Sequence, residues 1–212
     1  VFTILTPKPF FEGPTDKMDP RLQQVTILHC LQHSGGWDRD ASFDPMFQPV
    51  RIARSLGFDP PARAEHVIRF MMGKPLDFDP GSRYAYSNYG YCLLGRVIEA
   101  RSGLKYDQYV KQHVLAPVGV RQMRIGRTML ENRAPLEVRY YDERQRTGSS
   151  VFAKNLGEKV PAPYGAWYLE AMDSHGAWIA SATDLVRFAA ALDQPAKSPL
   201  LKEASIRRMF AR

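Results

Sequence analysis

The sequence predicts a mainly α protein within the broader α+β class, carrying one small β-hairpin. Two observations lead to this. Apolar residues recur at three- and four-residue spacing in segment after segment, each ended by glycine or proline. Strand-like pattern is confined to Val138–Tyr141 and Ser150–Phe152, on either side of the turn-like Arg144-Gln-Arg-Thr-Gly148.

Thr26 is placed to cap a short helix from Ile27 to His33, which Gly35-Gly36 ends. The aromatic and proline-containing stretch from Asp38 to Pro49 reads as irregular loop. Ala62 to Met72 is helical, with Val67, Ile68 and Met71 on one side and Gly73 as the stop. The segment Asp77-Phe-Asp-Pro-Gly-Ser82 is a turn. After it Tyr91, Leu94, Gly95 and Ile98 fall at helical spacing, and Gly103 closes that helix. Another helix covers Tyr106 to Leu115, stopped by Pro117. Ser181-Ala-Thr-Asp184 resembles a capping box, with Asp184 in the place of the usual Glu or Gln. Leu185, Phe188, Ala189 and Leu192 follow at core-facing spacing, and a last helix runs from Pro199 to Phe210.

The 212 residues suffice for one large domain with a substantial core. The 44% hydrophobic and 24% charged content is that of an ordinary globular protein. No apolar run approaches the roughly 18 residues of a membrane-spanning helix, so no membrane segment is expected. The start, Val1-Phe-Thr-Ile-Leu-Thr-Pro7, lacks both an initiator Met and a basic leader and reads as a position inside a longer chain. The net charge of +7 could suit an anionic partner. However, Lys and Arg are scattered, and the densest stretch, Arg139 to Arg146, includes Asp142 and Glu143. With no zinc-finger spacing or RNA-binding signature, nucleic acid is not an expected partner. Cys30 and Cys92 sit in apolar segments and read as two buried free thiols.

Three segments carry a resemblance. Thr26-Ile-Leu-His-Cys-Leu-Gln-His-Ser-Gly-Gly-Trp37 resembles the Thr-Ile-Arg-His-Leu-Leu-Thr-His-Thr-Ser-Gly-Leu segment of class C β-lactamases and their esterase and D-amino-acid peptidase relatives. Pro80-Gly-Ser-Arg-Tyr-Ala-Tyr-Ser-Asn-Tyr-Gly-Tyr-Cys-Leu-Leu-Gly95 is similar to that family's Pro-Gly…Tyr-Ser-Asn…Leu-Gly segment. His175-Gly-Ala-Trp-Ile-Ala-Ser-Ala-Thr-Asp-Leu-Val-Arg-Phe188 is similar to its Gly-Gly…Ser-Thr-Ala-Asp-Leu-Ala-Arg-Phe segment. Each alone is weak, but together and in this order they span most of the chain. The resemblance implies the helical lobe of the β-lactamase/transpeptidase-like, penicillin-binding-protein-like fold, and serine hydrolase chemistry through an acyl-enzyme.

That chemistry needs a serine activated by a nearby base. The family supplies it with Ser-x-x-Lys, Tyr-x-Asn and Lys-Thr-Gly or His-x-Gly. By resemblance, Tyr86 is the catalytic proton-shuttle tyrosine and Asn88 the positioning amide, with Ser87 capping the helix that follows. Ser-x-x-Lys would precede Val1 and the Lys/His-Thr-Gly strand would follow Arg212, so residues 1–212 are expected to form one partial domain, inactive by itself. Ser102-Gly-Leu-Lys105 is a literal Ser-x-x-Lys, but it follows Tyr-Ser-Asn and lies at a helix end. Arg146-Thr-Gly148 precedes the third segment and falls in a turn.

His175 is a candidate substrate-binding residue at the rim of the site, or it packs against Trp178. Asp173-Ser174-His175 has the residue types of a triad, but sequence neighbours rarely converge as one. His29 and His33 stand four apart as two zinc ligands would, yet a third ligand and the metalloprotease Glu are missing, so neither a metal nor a cofactor is expected. Trp167, Tyr168 and Trp178 read as core more readily than as a ligand cage. The expected partner is a small-molecule or peptide substrate of the whole protein. The competing expectation is a non-catalytic binding or interaction domain derived from the same fold. A third is a piece that pairs with another copy or segment to complete a sheet.

Overall fold

Ser87 starts the longest helix among the described residues, and several of the other elements pack against it. In the computed structural model, which describes residues 1–141 and 144–211, helix α5 runs Asn88–Ser102. The Ser87 side chain accepts from the Gly90 N–H, and Gly103 closes the helix at φ 71°. Tyr89, Cys92 and Leu93 on this helix are fully buried. Against it pack α1 (Phe2–Leu5), α2 (Ile27–Leu31) and α6 (Tyr106–Val110), while α3 (Pro49–Leu56) and α4 (Ala64–Met71) pack on each other and contribute to the same core. Helices α7 (Ala182–Asp193) and α8 (Glu203–Phe210) complete the chain. The mainly α expectation holds.

Two small antiparallel sheets interrupt the helices. Strands β1 (Arg124–Ile125) and β4 (Trp178–Ile179) pair Arg124 with Ile179 and Ile125 with Trp178. Strands β2 (Thr147–Ser149) and β3 (Lys159–Pro161) pair Gly148 with Val160. A hairpin therefore exists, but on different residues from those expected. Val138–Tyr141 forms no strand, and the supposed turn residues Thr147 and Gly148 lie in β2. The reason is burial: Val138 and Tyr141 are exposed and have no sheet face to cover, so β propensity alone does not order them. Gly148 instead lies where a Cβ would come within 2.6 Å of Ala166, a close approach that only glycine allows. Asp142 and Glu143, the acidic members of the basic stretch, lie outside the described residues.

Several helix ends differ from the pattern-based expectation. Helix α2 stops at Leu31 and not at His33, because His33 turns into the left-handed region at φ 53°. Helix α3 follows the loop that starts at Asp38, with Pro49 in its first turn, where a missing N–H costs nothing. Helix α4 is one to two residues shorter at each end than Ala62–Met72. Pro117 does not stop the segment after Tyr106. The chain continues through a π-turn (Lys111–Leu115) and a 3-10 turn (Ala116–Val118) with Pro117 at its start, and Gly119 ends it at φ 72°. Helix α8 begins at Glu203, later than Pro199, and is anchored by the fully buried Ile206.

Helix α7 shows the half of a capping box that the sequence promises: Ser181 accepts from the Asp184 N–H at 3.1 Å. Its apolar stripe is not buried as expected. Leu185 is 52% exposed, Ala189 is exposed, and Phe188 and Leu192 are half-buried. Among the described residues no element packs over Leu185 and Ala189, whereas Asp184 is buried beside Arg187.

This contrast is testable by urea denaturation. Phe70 on α4 is fully buried in the core, so Phe70→Ala is expected to cost about 3–5 kcal/mol. Leu185→Ala is expected to change stability by less than about 0.5 kcal/mol. Similar losses for both would show that α7 is packed more tightly than its exposure indicates.

Candidate active site

The first two signature segments are stitched together by backbone hydrogen bonds. Gly81 N–H donates to the Ser34 carbonyl at 2.8 Å, Ala85 N–H to the His33 carbonyl at 2.8 Å, and Asp77 N–H to the Gly36 carbonyl at 2.8 Å. Gly36 adopts φ 108°, and a Cβ there would meet the Phe78 carbonyl at 2.9 Å. Trp37 then packs edge-on against Tyr89 with ring centroids 4.7 Å apart. The left-handed turn at His33 has a consequence for the site. It brings the imidazole Nδ1 to 3.1 Å from the Ser87 N–H, which donates to it. The same ring lies 4.7 Å from the Tyr86 ring and 5.0 Å from Tyr91.

Tyr86 and Asn88 are joined directly. The Tyr86 hydroxyl donates to Asn88 Oδ1 at 2.9 Å, and Asn88 Nδ2 donates to Asp44 Oδ2 at 2.6 Å. Asp44 Oδ1 accepts from the Met46 N–H at 3.0 Å. An ionised carboxylate only accepts, so Asp44 fixes which end of the Asn88 amide is nitrogen and turns its oxygen to Tyr86. Asn88 is 8% exposed and Tyr86 43%. The Arg39 guanidinium lies 5.1 Å over the Tyr86 ring, a cation–π arrangement.

The third segment closes the other side. Arg96, one residue after Gly95 on α5, donates to Asp173 at 2.5 Å and forms an ion pair with Glu99 at 2.9 Å. Gly95 lets Ser174 approach so closely that a Cβ would sit 2.5 Å from its Oγ. His175 N–H and Ala177 N–H both donate to the Met172 carbonyl, and Gly126 N–H to the Ala177 carbonyl. The β1–β4 pairing then sets Trp178 beside them. Together His33, Tyr86, Asn88, Tyr91, Ser174, His175 and Trp178 surround a cavity of about 280 Å³.

Electrostatics inside it favour neutral imidazoles. Burial pushes His33 below its ordinary value. Burial also pushes His175 down to about 4, ahead of the opposing pull of the Asp173 and Asp44 carboxylates and the further push of Arg96. Neither ring nitrogen of His175 has a hydrogen-bond partner among the described residues.

The structure thus brings Tyr86, Asn88 and His175 to one cavity. Ser174 and His175 are both there, but Asp173 is turned to Arg96 and the three form no triad. Asp44 was missed. It sits in the stretch read as irregular loop, and its only sequence signal is the Asp-Pro pair that begins the Pro45–Phe47 turn. His29 and His33 are not a ligand pair. His29 completes a capping box with Thr26, its Nδ1 accepting from the Thr26 N–H at 3.4 Å, while His33 Nδ1 serves Ser87. The aromatics divide: Trp167 and Tyr168 pack against the core, while Trp178 lines the cavity.

Ser102 donates to the Ile98 carbonyl at 2.7 Å, and lies at the far end of α5, about 20 Å along the axis from Asn88 at 1.5 Å per residue. Cys30 and Cys92 are free, and burial raises both thiols to about 12. No helix among the described residues is long and apolar enough to cross a membrane.

A helical lobe in which a Tyr-x-Asn motif opens a buried helix beside a Gly-rich turn defines the class: the helical part of a β-lactamase/transpeptidase-like fold. The Beta-lactamase family model matches residues 14–212, and the chain belongs to that family. It is 30% identical over 190 residues to a Dichelobacter nodosus protein named Probable fimbrial assembly protein FimD, serogroup H1, covering 89% of this chain and 41% of that one. It is 28% identical over 190 residues to Penicillin-binding protein 4* of Bacillus subtilis, covering 86% and 40%. The D-stereospecific amidohydrolase of a Streptomyces species superposes with a TM-score of 0.57 at 20% identity, over 89% of this chain and 52% of that one. The chain spans about two-fifths of the length of these two curated relatives.

The His175 environment predicts a pH dependence. An unfolded histidine titrates near 6.5, whereas the folded one titrates near 4. Between those values the unfolded chain holds a proton that the folded chain excludes, so stability is intact above pH 6.5 and falls as pH drops toward 4. His175→Gln is expected to flatten that fall by on the order of 2–3 kcal/mol. His33 and His66 are depressed in both proteins and cancel in the difference. Parallel unfolding-versus-pH curves for the two proteins would refute a buried neutral His175.

Proposed function

We propose that this chain is one partial domain of a serine hydrolase that acts through an acyl-enzyme on an amide, ester or β-lactam. The observation that carries the reading is the hydrogen-bonded series Asp44–Asn88–Tyr86 opening onto a cavity walled by all three signature segments. Family membership supports the reading, as do relatives named as a penicillin-binding protein and an amidohydrolase.

In this reading a serine outside residues 1–212, in a Ser-x-x-Lys sequence, attacks the substrate carbonyl. Its proton passes to the Tyr86 oxygen with help from the lysine. Tyrosine ordinarily titrates near 10, so the shuttle needs that cation nearby. As the bond to the leaving group breaks, the proton passes to the departing nitrogen or oxygen, and water later releases the acyl group. Asn88 Nδ2 keeps one N–H beyond the one given to Asp44, and that N–H is free to hold a substrate carbonyl. Asp44 is a positioning residue for Asn88. Ser102 has no role, because its hydroxyl is spent on a helix end. A non-catalytic assembly or binding role is the second reading, favoured by the name of the fimbrial assembly relative.

The test compares this chain with a version extended at both ends, each treated with a fluorophosphonate and a fluorescent penicillin and weighed intact. Only the extended protein is expected to be labelled. Tyr86→Phe in it is expected to slow acylation by about 10²–10⁴-fold. Labelling of the 212-residue chain itself would make one of its own serines the nucleophile. No labelling of either would move the assignment to the binding module.

A further inference from the structure

Beside the candidate site stands a guanidinium whose hydrogen-bonding capacity is unspent. Arg39 lies 5.1 Å over the ring of Tyr86, and Tyr86 lines the cavity. Stacking on an aromatic face engages the flat side of a guanidinium and leaves its N–H edge open. The carboxylate paired with it, Asp40, meets Nε alone at 3.7 Å, beyond hydrogen-bond reach. Asp40 is 91% exposed, so solvent screens that pair and it holds Arg39 only weakly. Among the described residues, none of the five N–H donors of Arg39 has a hydrogen-bond acceptor.

The backbone that carries this head is fixed. Asp38 Oδ1 accepts from the Asp40 N–H at 3.0 Å and the Ala41 N–H at 3.3 Å, which turns the chain around Arg39. Asp38 Oδ2 accepts from Arg83 at 2.8 Å, and the Asp38 N–H donates to Asp77 Oδ2 at 2.8 Å. Six residues after Asp38 on the same loop, Asp44 holds Asn88. One loop therefore places both the Asn88 amide and the Arg39 guanidinium. Its neighbouring carboxylates are engaged elsewhere: Asp38 with Arg83, Asp44 with Asn88 and the Met46 N–H, and Asp77 with the Asp38 N–H and the Ser42 hydroxyl. No side chain lining the cavity is Lys, Arg, Asp or Glu, so charge discrimination at this edge falls to Arg39. A placed stem bearing an unspent planar fork suits bidentate pairing with a carboxylate.

We infer that Arg39 is a specificity-determining residue that pairs with a carboxylate of the ligand, several bonds away from the carbonyl that Asn88 holds. The separation follows from the placement. The guanidinium lies over the Tyr86 ring, whereas the Tyr86 hydroxyl donates to Asn88. A ligand with its carbonyl at Asn88 and its carboxylate at Arg39 must therefore reach across the breadth of an aromatic ring. The ligand class is an amide or ester that carries a second, acidic arm. That this ligand is a substrate rests on the hydrolase reading; that Arg39 binds its carboxylate does not.

The test uses the full-length protein and two probes, N-succinyl-D-alanine amide and the analogue whose succinyl carboxylate is replaced by an amide. Binding of each is measured by calorimetry. The carboxylate probe is expected to bind about three- to tenfold more tightly than its analogue. That preference is expected to shrink as salt is raised, because the Arg39 side chain is 44% exposed. Arg39→Gln is expected to abolish the preference and Arg39→Lys to retain part of it. Equal binding of the two probes by the wild-type protein, or no binding of the carboxylate probe, overturns the subsite. So does a preference that survives Arg39→Gln. A loss equal for both probes in Arg39→Gln also overturns it and leaves Arg39 only a packing role on Tyr86. Fluorophosphonate labelling is run in parallel. A preference that Arg39→Gln abolishes, in a protein that is not labelled, removes the hydrolase reading and leaves the subsite standing. Labelling with equal binding of both probes does the reverse.

Discussion

The rest of the structure depends on the burial of helix α5. Its Tyr89, Cys92 and Leu93 are sunk in the core, so its position and rotation cannot adjust to suit the groups at its surface. Those groups must come to it. At its start, Ser87 caps the helix and receives the His33 ring, while Asn88 reaches Asp44 and Tyr86. About two turns further on, Gly95 admits Ser174 and Arg96 holds Asp173. The three signature segments therefore meet in space because each is docked on the same rigid rod. Their spacing in sequence, from residue 26 to residue 188, says nothing of that proximity.

The polar contacts around α5 differ in what they contribute. The Arg96–Asp173 pair is mostly buried, with side chains 17% and 16% exposed. Such a pair adds little net stability over an apolar replacement, but removing one partner strands the other charge. Its effect is to specify where residues 173–175 sit. Asp44 acts similarly on a smaller scale. Its carboxylate cannot donate, and this alone decides how the Asn88 amide is turned. Surface pairs such as Lys111–Asp107 and Arg207–Glu203 lie on exposed helical turns and specify nothing about the cavity.

The apolar surface is distributed unevenly. Helices α2 to α5 surround a core in which Ile52, Phe70 and Leu93 are fully buried. Toward the end of the described chain, Leu185, Val186, Met209 and Phe210 are exposed on α7 and α8. The amphipathic pattern of α7 is real, but its apolar stripe is only partly covered, with Phe188 and Leu192 half-buried and Leu185 and Ala189 left exposed. Helical periodicity reports that a face can be buried; it does not supply the partner that buries it.

By itself the sequence determined the helical class, the caps at Thr26, Ser87 and Ser181, the glycine end of α5, and the pairing of Tyr86 with Asn88 in one motif. These are local matters, settled by side chains within about four residues of each other and by glycine's access to positive φ. It misjudged the hairpin, because Val138–Tyr141 has strand-like residues but no face to cover, while the close approach of Ala166 that permits Gly148 in β2 comes from 18 residues away. It could not show Asp44, whose partner lies 44 residues on, or the role of His33, whose left-handed turn serves a backbone N–H 54 residues on. It left His175 undecided, since burial of its ring nitrogens follows from the docking of Asp173 and Ser174 on α5. Only the tertiary structure decides such contacts, because their energy comes from groups that adjoin in space and not along the chain.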